Sequence, residues 1–426
     1  MAYFLNIGGF ANNGKKILEL YKEKIKKLRG GIGPGVITGG ADNDPAGIAT
    51  YTTAGALFGY SLLWVLLICT PLMIVVQEMA ARLALVKRKG LSSIIKEYYG
   101  KKTAMYVMSI LIVANIATIG ADIAGVASVM GLVTGINWMF YIIPVSALIG
   151  YLILFKKYRT IRNFLICLTA LLVVYIFSSI LARPDWHQVL HGFIPSYIPT
   201  AGFIAAAIGV IGTTISPYML FWQASDELEE HKTILRPREI EIDTGIGMVW
   251  SNVIAIFIII AAASTLFVAG VRVETAEQAA LALKPLAGKW AYLLFSLGII
   301  ISGFLALPVL AGSTAYAISE TFGWNEGLDK KVFSAKGFYS VFVLSLLVGS
   351  LLSFLPISPI QFLYYTQVLD GFLVPFLIIF LLVLCNNKKV MGKYTNTKLK
   401  NLLSIILLVI LGVLDIFLIG NLLGII

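Results

Sequence analysis

"GGADNDPAGIATYTTAG", Gly39 to Gly55, sets Asp42, Asn43, Asp44 and Pro45 inside a run otherwise long and apolar enough to span a bilayer. A charged aspartate in hydrocarbon costs at least about 2.5–3.5 kcal/mol. Pro45 removes a backbone donor and clashes with the turn before it. The stretch therefore reads as a membrane helix that breaks at mid-depth. Carbonyls freed at such a break must face protein or a wet cavity, because lipid offers them no partner. Two accounts of the carboxylates compete. Either one of them caps the half-helix starting at Pro45, as Asp before Pro does in soluble proteins, or carboxylate and carbonyl oxygens together make a hard-oxygen cation site. At bilayer depth, beside a second break, the cation site is favoured.

Composition supports the membrane reading. Of 426 residues 58% are hydrophobic and 13% charged, against about 25% charged in soluble domains; mean hydropathy is +0.88. The apolar runs are continuous, not alternating, which argues for helices over a β-barrel. They fall near 31–58, 60–86, 103–133, 138–155, 160–182, 200–225, 243–270, 287–318, 337–355, 359–384 and 401–425, an expectation of eleven spans. The net charge of +11 is explained by where it lies. With the N-terminus inside, every Lys and Arg except Arg82, Arg183, Arg272, Lys284 and Lys289 falls on a cytoplasmic segment, the positive-inside pattern. Basic charge is thus topology and not a nucleic-acid surface. Cys69, Cys167 and Cys385 all sit in apolar runs, so no disulfide framework is expected. The basic segment 1–30 lacks the apolar core of a cleavable signal.

A weak repeat organises the chain. The first span breaks at 42–47; five spans later the sixth breaks at "GTTISPYM", Gly212 to Met219, around Pro217. An odd repeat of five helices turns the second copy upside down, and paired broken helices mark a transport site at the bilayer midplane. The expected organisation is a cytoplasmic basic segment 1–30, a first five-helix repeat 31–182, a second 183–384, and a cytoplasmic loop plus eleventh helix over 385–426, ending extracytoplasmically. The fold class is an all-α integral membrane protein.

"GPGVITGGADNDPAGIATYTTAGALFGYSLLWVLL" and "GTTISPYMLFWQAS" resemble the first and sixth helices of the Nramp divalent-metal transporters, whose motifs run Asp-Pro-Gly-Asn and Ala-x-x-Met-Pro-His. The resemblance covers nearly the whole chain and implies a LeuT-like fold with alternating access. It places the metal-binding Asp on Asp44, the ligand Asn on Gly47, the ligand Ala on Thr213 and the thioether Met on Ser216. Soft thioether ligands favour Mn, Fe and similar ions, whereas Mg²⁺ takes oxygen and keeps several waters. Loss of the sulfur and of the Asn side chain gives a wider, all-oxygen site. These departures look like the Nramp-related magnesium transporter branch. The site is expected to comprise Asp44, Thr213, Ser216, Asn43, Gly47, the carbonyls near Ala41 and Gly212, and Gln367, which falls on a family glutamine. Mg²⁺ and Mn²⁺ are expected as substrates, with no cofactor.

The family's proton relay is mostly missing. Its acidic positions fall on Asn115, Asp122 and Gly125, and its histidines on Tyr218 and Gln223. His187, His191 and His231 are all placed in loops, so no imidazole titrates at depth. Uncoupled import follows as the expectation, with Asp42, Asp122, Asn115, Tyr218 and Gln223 along the pathway or around the ion's waters. Asp370 is equally consistent with a site role and with a packing bond. The alternatives are a proton-coupled Mn²⁺/Fe²⁺ transporter, an amino-acid carrier, which would present backbone amides where Asp44 stands, and a membrane-embedded enzyme, for which no metalloprotease or serine-nucleophile motif is present. Residence in the plasma (inner) membrane, a divalent metal and lipid as partners, and no obligate protein partner complete the reading.

Overall fold

The computed structural model describes residues 33–230, 237–271, 276–355 and 359–422, with side chains described for all but 237, 276–287, 359–365, 367–369, 371–373, 417–419 and 421–422. The basic segment 1–30 and His231 lie outside the described residues.

Every regular element among the described residues is helical. The first span is two half-helices, α1 (Pro34–Ala41) and α2 (Pro45–Phe58). Then come α3 (Leu63–Lys87), α4 (Leu91–Thr134) and α5 (Met139–Phe155). Next are α6 (Tyr158–Leu171), α7 (Val174–Leu181) and the short α8 (Trp186–His191). The second broken span is α9 (Ala201–Thr214) with α10 (Pro217–Glu229). It is followed by α11 (Pro237–Ala262), α12 (Ala276–Phe322), α13 (Lys336–Leu352), α14 (Pro359–Asn386), α15 (Lys388–Met391) and α16 (Lys398–Leu422).

Among the described residues seven helical stretches are long and apolar enough to cross a membrane, or eight with the bent pair over Val374–Asn386 and Lys388–Tyr394. The other expected spans fall on the broken α1–α2 and on the shorter apolar helices α5 and α13. Two expected spans are not simple rods. The fifth is interrupted between α6 and α7. The third is preceded by a separate basic helix from Leu91, which meets it at a kink where Gly100 has φ 85°, a backbone state that glycine adopts without penalty.

The halves interlock. α12 lies along α4, α11 covers α1 and α2, and α14 packs against α2, α4 and α9. Both breaks are thereby enclosed by helices, as lipid chemistry requires. The contact of α1 with α11 has almost no side chain in it: a β-carbon on Gly39 would stand 2.1 Å from the Gly247 carbonyl oxygen. Asp243, at the start of α11, accepts the amides of Gly33 at 2.8 Å and Gly35 at 3.0 Å. It thus satisfies donors that the first turn of α1 cannot use internally. Away from the breaks, Glu78 and Arg82, four residues apart on α3, form an ion pair (2.7 Å). Arg82 also donates to the Tyr394 carbonyl and to Asn396, and Lys400 reaches Glu78 and Glu241. This buried network fastens the 388–400 connection to α3. Cys69, Cys167 and Cys385 are free thiols.

Candidate metal site

Each break is tighter than its sequence interval. The first is confined to 42–44, because Asp44 is extended (φ −67°, ψ 165°) as residues before proline prefer, and Pro45 opens α2. The second is confined to 215–216, with Ser216 extended and Pro217 opening α10. A first helical position needs no amide, so each proline restarts a helix instead of ending one.

The amides at the head of α2 are taken by carboxylates. Asp44 Oδ1 accepts from Gly47 N, and Asp122 Oδ1 from Ala46 N at 3.0 Å. Asp44 is therefore the capping residue of the two weighed from sequence. Asp122 pairs with this helix end, while Arg82 is held by Glu78. Asp42 turns the other way, accepting from the Ser251 hydroxyl on α11. Asn43 donates to the same Ser251 oxygen at 2.9 Å. All these side chains are buried.

The two breaks meet at Gly47. A β-carbon there would lie 2.6 Å from Thr213 Oγ1, 2.9 Å from Asp44 Oδ1 and 3.2 Å from the Asp42 carbonyl oxygen. Three oxygens from both half-helix pairs thus converge on a glycine, and Thr213 Oγ1 is buried with no hydrogen-bond partner among the described residues. The Ser216 hydroxyl donates to the carbonyls of Gly212 (3.2 Å) and Thr213 (3.0 Å), leaving its lone pairs for another donor or a cation. Tyr218 donates to the Ala41 carbonyl at 2.9 Å, tying break to break. The Ala41 and Gly212 carbonyls thus each already hold one hydroxyl.

Other expected residues are placed further out. Asn115 donates to Ser313 (3.0 Å) and Thr314 (2.9 Å) and joins α4 to α12. Gln223 donates to Thr244 at 2.8 Å and joins α10 to α11. Gln367 lies on α14, but its side chain is outside the described residues. His187 and His191 stack edge to face on the exposed helix α8, not in a loop. Ser251 and Asp243 were not singled out from sequence. One serine in an apolar span and one aspartate at a span's start carry no local pattern, and only the facing helix gives them a role.

The donor set is oxygen only: carboxylate, hydroxyl and carbonyl. Among the described residues no lysine or arginine pairs with Asp42, Asp122 or Asp370. No three His, Cys, Asp or Glu side chains among the described residues converge closely enough to hold a bare ion. One or two carboxylates amid neutral oxygens suit a hard cation that retains water.

The family described as "Natural resistance-associated macrophage protein-like" matches residues 35–421. The divalent metal cation transporter MntH of Caldanaerobacter subterraneus subsp. tengcongensis is 27% identical over 404 residues, 90% of this chain and 91% of that protein. MntH of Bacillus subtilis is 26% identical, covering 95% and 96%. Among solved structures, a manganese transporter of Eremococcus coleocola superposes with a TM-score of 0.75 at 22% identity, covering 92% of this chain and 87% of that one. MhsT in complex with L-phenylalanine gives 0.59 at 11% identity, covering 90% and 98%. At these identities the structural likeness concerns the fold alone, an all-helical architecture.

Proposed function

Because the chain belongs to the Nramp family and is a divalent metal cation transporter of the membrane, we propose that it carries hard ions, Mg²⁺ foremost and Mn²⁺ also, into the cytoplasm by alternating access. The observation that carries this reading is the convergence of Thr213 Oγ1 and Asp44 Oδ1 on the bare Cα of Gly47, with Ser216 where a thioether would favour softer metals. Asp44 is the principal ligand. Thr213, Ser216, Asn43 and the Ala41 and Gly212 carbonyls hold the ion or its waters, and Gln367, which falls on a family glutamine, is a further ligand in this reading. The half-helix α2 points its positive end at the site, so a carboxylate there is an electrostatic necessity.

Transport is uncoupled from protons in this reading. Tyr218 and Gln223 stand where imidazoles would relay, and both are engaged in hydrogen bonds. The membrane potential suffices as a driving force. It supplies about 2.3 kcal/mol per charge per 100 mV, hence about twice that for a dication. The basic connections set the N-terminus inside and the C-terminus outside the plasma (inner) membrane. The rival, proton-coupled Mn²⁺ or Fe²⁺ transport, draws on the relatives' names, but not on this donor set.

Uptake into proteoliposomes of Mg²⁺, Mn²⁺ and Ca²⁺, with and without a pH gradient, tests both parts. The expected result is potential-driven Mg²⁺ uptake with no acidification of the lumen, and a shift of Ser216→Met toward Mn²⁺ and Cd²⁺ at the expense of Mg²⁺. Mg²⁺-driven acidification rules out the uncoupled mechanism. Tight Cd²⁺ capture by the unaltered protein rules out the hard site.

A further inference from the structure

Asp370 is the one buried carboxylate beside the breaks to which the bonds described so far give no partner. It is 1% exposed, and neither of its oxygens has a hydrogen-bond partner among the described residues. Asp42 and Asp122 each hold a donor, and Asp44 caps α2. The helix that carries it, α14, packs against α2, α4 and α9, the helices that bear or border Asp44, Asp122 and Thr213. The charges of Asp370 and Asp44 act on each other, and both reach Asp122 and the Tyr218 phenol.

An ionised carboxylate buried without a hydrogen bond or counterion costs several kcal/mol. A permanent remedy is a lysine or arginine, and no such pair to Asp370 exists among the described residues. The remaining remedies are a proton, which makes the group neutral, and a visiting cation that displaces it. With Asp42 and Asp122 in their neutral acid forms, Asp370 and Asp44 supply the two negative charges that make a neutral complex with a dication. Neutrality matters in a low-dielectric interior, where an unbalanced charge is felt most strongly. No group of three or more carboxylate, imidazole or thiol side chains among the described residues encloses a bare ion, so the ion keeps water, and contact from the α14 side is assigned to that water.

We propose that Asp370 is a specificity-determining residue of the transport site. It accepts hydrogen bonds from the water-covered face of the ion while Asp44 takes the opposite face. This assignment rests on the reading above that the two breaks form the ion site. It gives a reason for the preference expected there: an ion that sheds water reluctantly gains from a second carboxylate placed to hold that water, whereas a readily dehydrated ion gains less.

The test uses the full chain in detergent and in liposomes, comparing the unaltered protein with Asp370→Asn and Asp370→Glu, and Asp44→Asn as the control that abolishes binding. Asparagine keeps the shape and removes the charge. Titration with MgCl₂ and MnCl₂ by calorimetry is expected to show Mg²⁺ affinity about tenfold or more lower in Asp370→Asn, equivalent to about 1.4 kcal/mol. Affinity in Asp370→Glu is expected to stay within about threefold, again on the affinity scale. The ratio of Mg²⁺ to Mn²⁺ uptake is expected to fall in Asp370→Asn, a change that a packing role would not produce. Should Asp370→Asn not accumulate as folded protein, Asp370→Ser against Asp370→Glu supplies the same contrast. The assignment is overturned if the uncharged variant binds Mg²⁺ like the unaltered protein with an unchanged uptake ratio, or if glutamate loses as much as asparagine. Failure of the parent reading looks different: the unaltered protein then takes Mn²⁺ but not Mg²⁺, and loss of Mn²⁺ binding in Asp370→Asn still sustains Asp370 as a ligand-side carboxylate.

Discussion

A β-carbon on residue 47 would sit within 3 Å of two side-chain oxygens, Thr213 Oγ1 and Asp44 Oδ1. Both belong to side chains that can turn aside, so the fold tolerates the intrusion better than the site does. Gly47→Ala is therefore expected to lower Mg²⁺ affinity by about tenfold or more, through misplaced ligands, while the melting temperature moves by only a few degrees; calorimetry and thermal unfolding on one preparation check this. Unchanged Mg²⁺ affinity would detach the Gly47 surface from the site. At this scale the sequence is informative for residues that violate their surroundings. Asp42, Asp44 and Asp122 stand out because carboxylates are costly in an apolar span. It is silent on which carboxylate faces which helix: Asp42 is turned toward Ser251 and Asp122 toward the head of α2, choices made by residues far away in the chain.

Among elements, the contact of α1 with α11 is the most exacting. A β-carbon on Gly247 would stand 2.0 Å from the Gly35 carbonyl oxygen, an obstacle in backbone that no rotamer change removes. Overpacking typically costs about 1–3 kcal/mol, and here α1 must leave α11. Gly247→Ala is expected to depress the melting temperature and to raise amide exchange over residues 33–41, read by mass spectrometry. Exchange as slow as in the unaltered protein would mean that α1 does not rest on this seam. Breaks at two prolines were legible from sequence, since proline chemistry is local. Their confinement to two or three residues was not, because proline can also start a helix, and at the first break the exposed amides are met by Asp44 in the break and by Asp122 from α4.

Across the whole molecule, charge is distributed as the apolar spans dictate, and hydropathy alone placed nearly every helix. Packing between helices was not legible, because lipid-facing and buried faces are equally apolar. The acidic cluster where α10, α12 and the 323–335 connection meet is one result of packing. There burial, with the charges of Glu320 and Glu229, pushes the Glu326 carboxyl up to about 9, opposed by Lys330. Native Glu326 then keeps a proton that the unfolded chain has released, so stability is present at low pH and declines from about pH 4.5 towards pH 9. Glu326→Gln is expected to raise the melting temperature at pH 8–9 and to flatten its pH dependence over that window, measured by thermal unfolding in a buffer series. An identical profile would place Glu326 in water.

The Tyr218 hydroxyl on the Ala41 carbonyl is one of two tyrosine clasps between the broken spans, the other being Tyr51 against the Thr214 hydroxyl. Tyrosine phenols release their proton only near pH 10. A clasp of this kind stays fastened alike in acid and neutral surroundings. This bond is therefore deaf to ambient acidity, whereas the bonds of Asp42 to Ser251 and of Asp243 to Gly33 and Gly35, which also join the two halves, rest on carboxylates that a proton can claim.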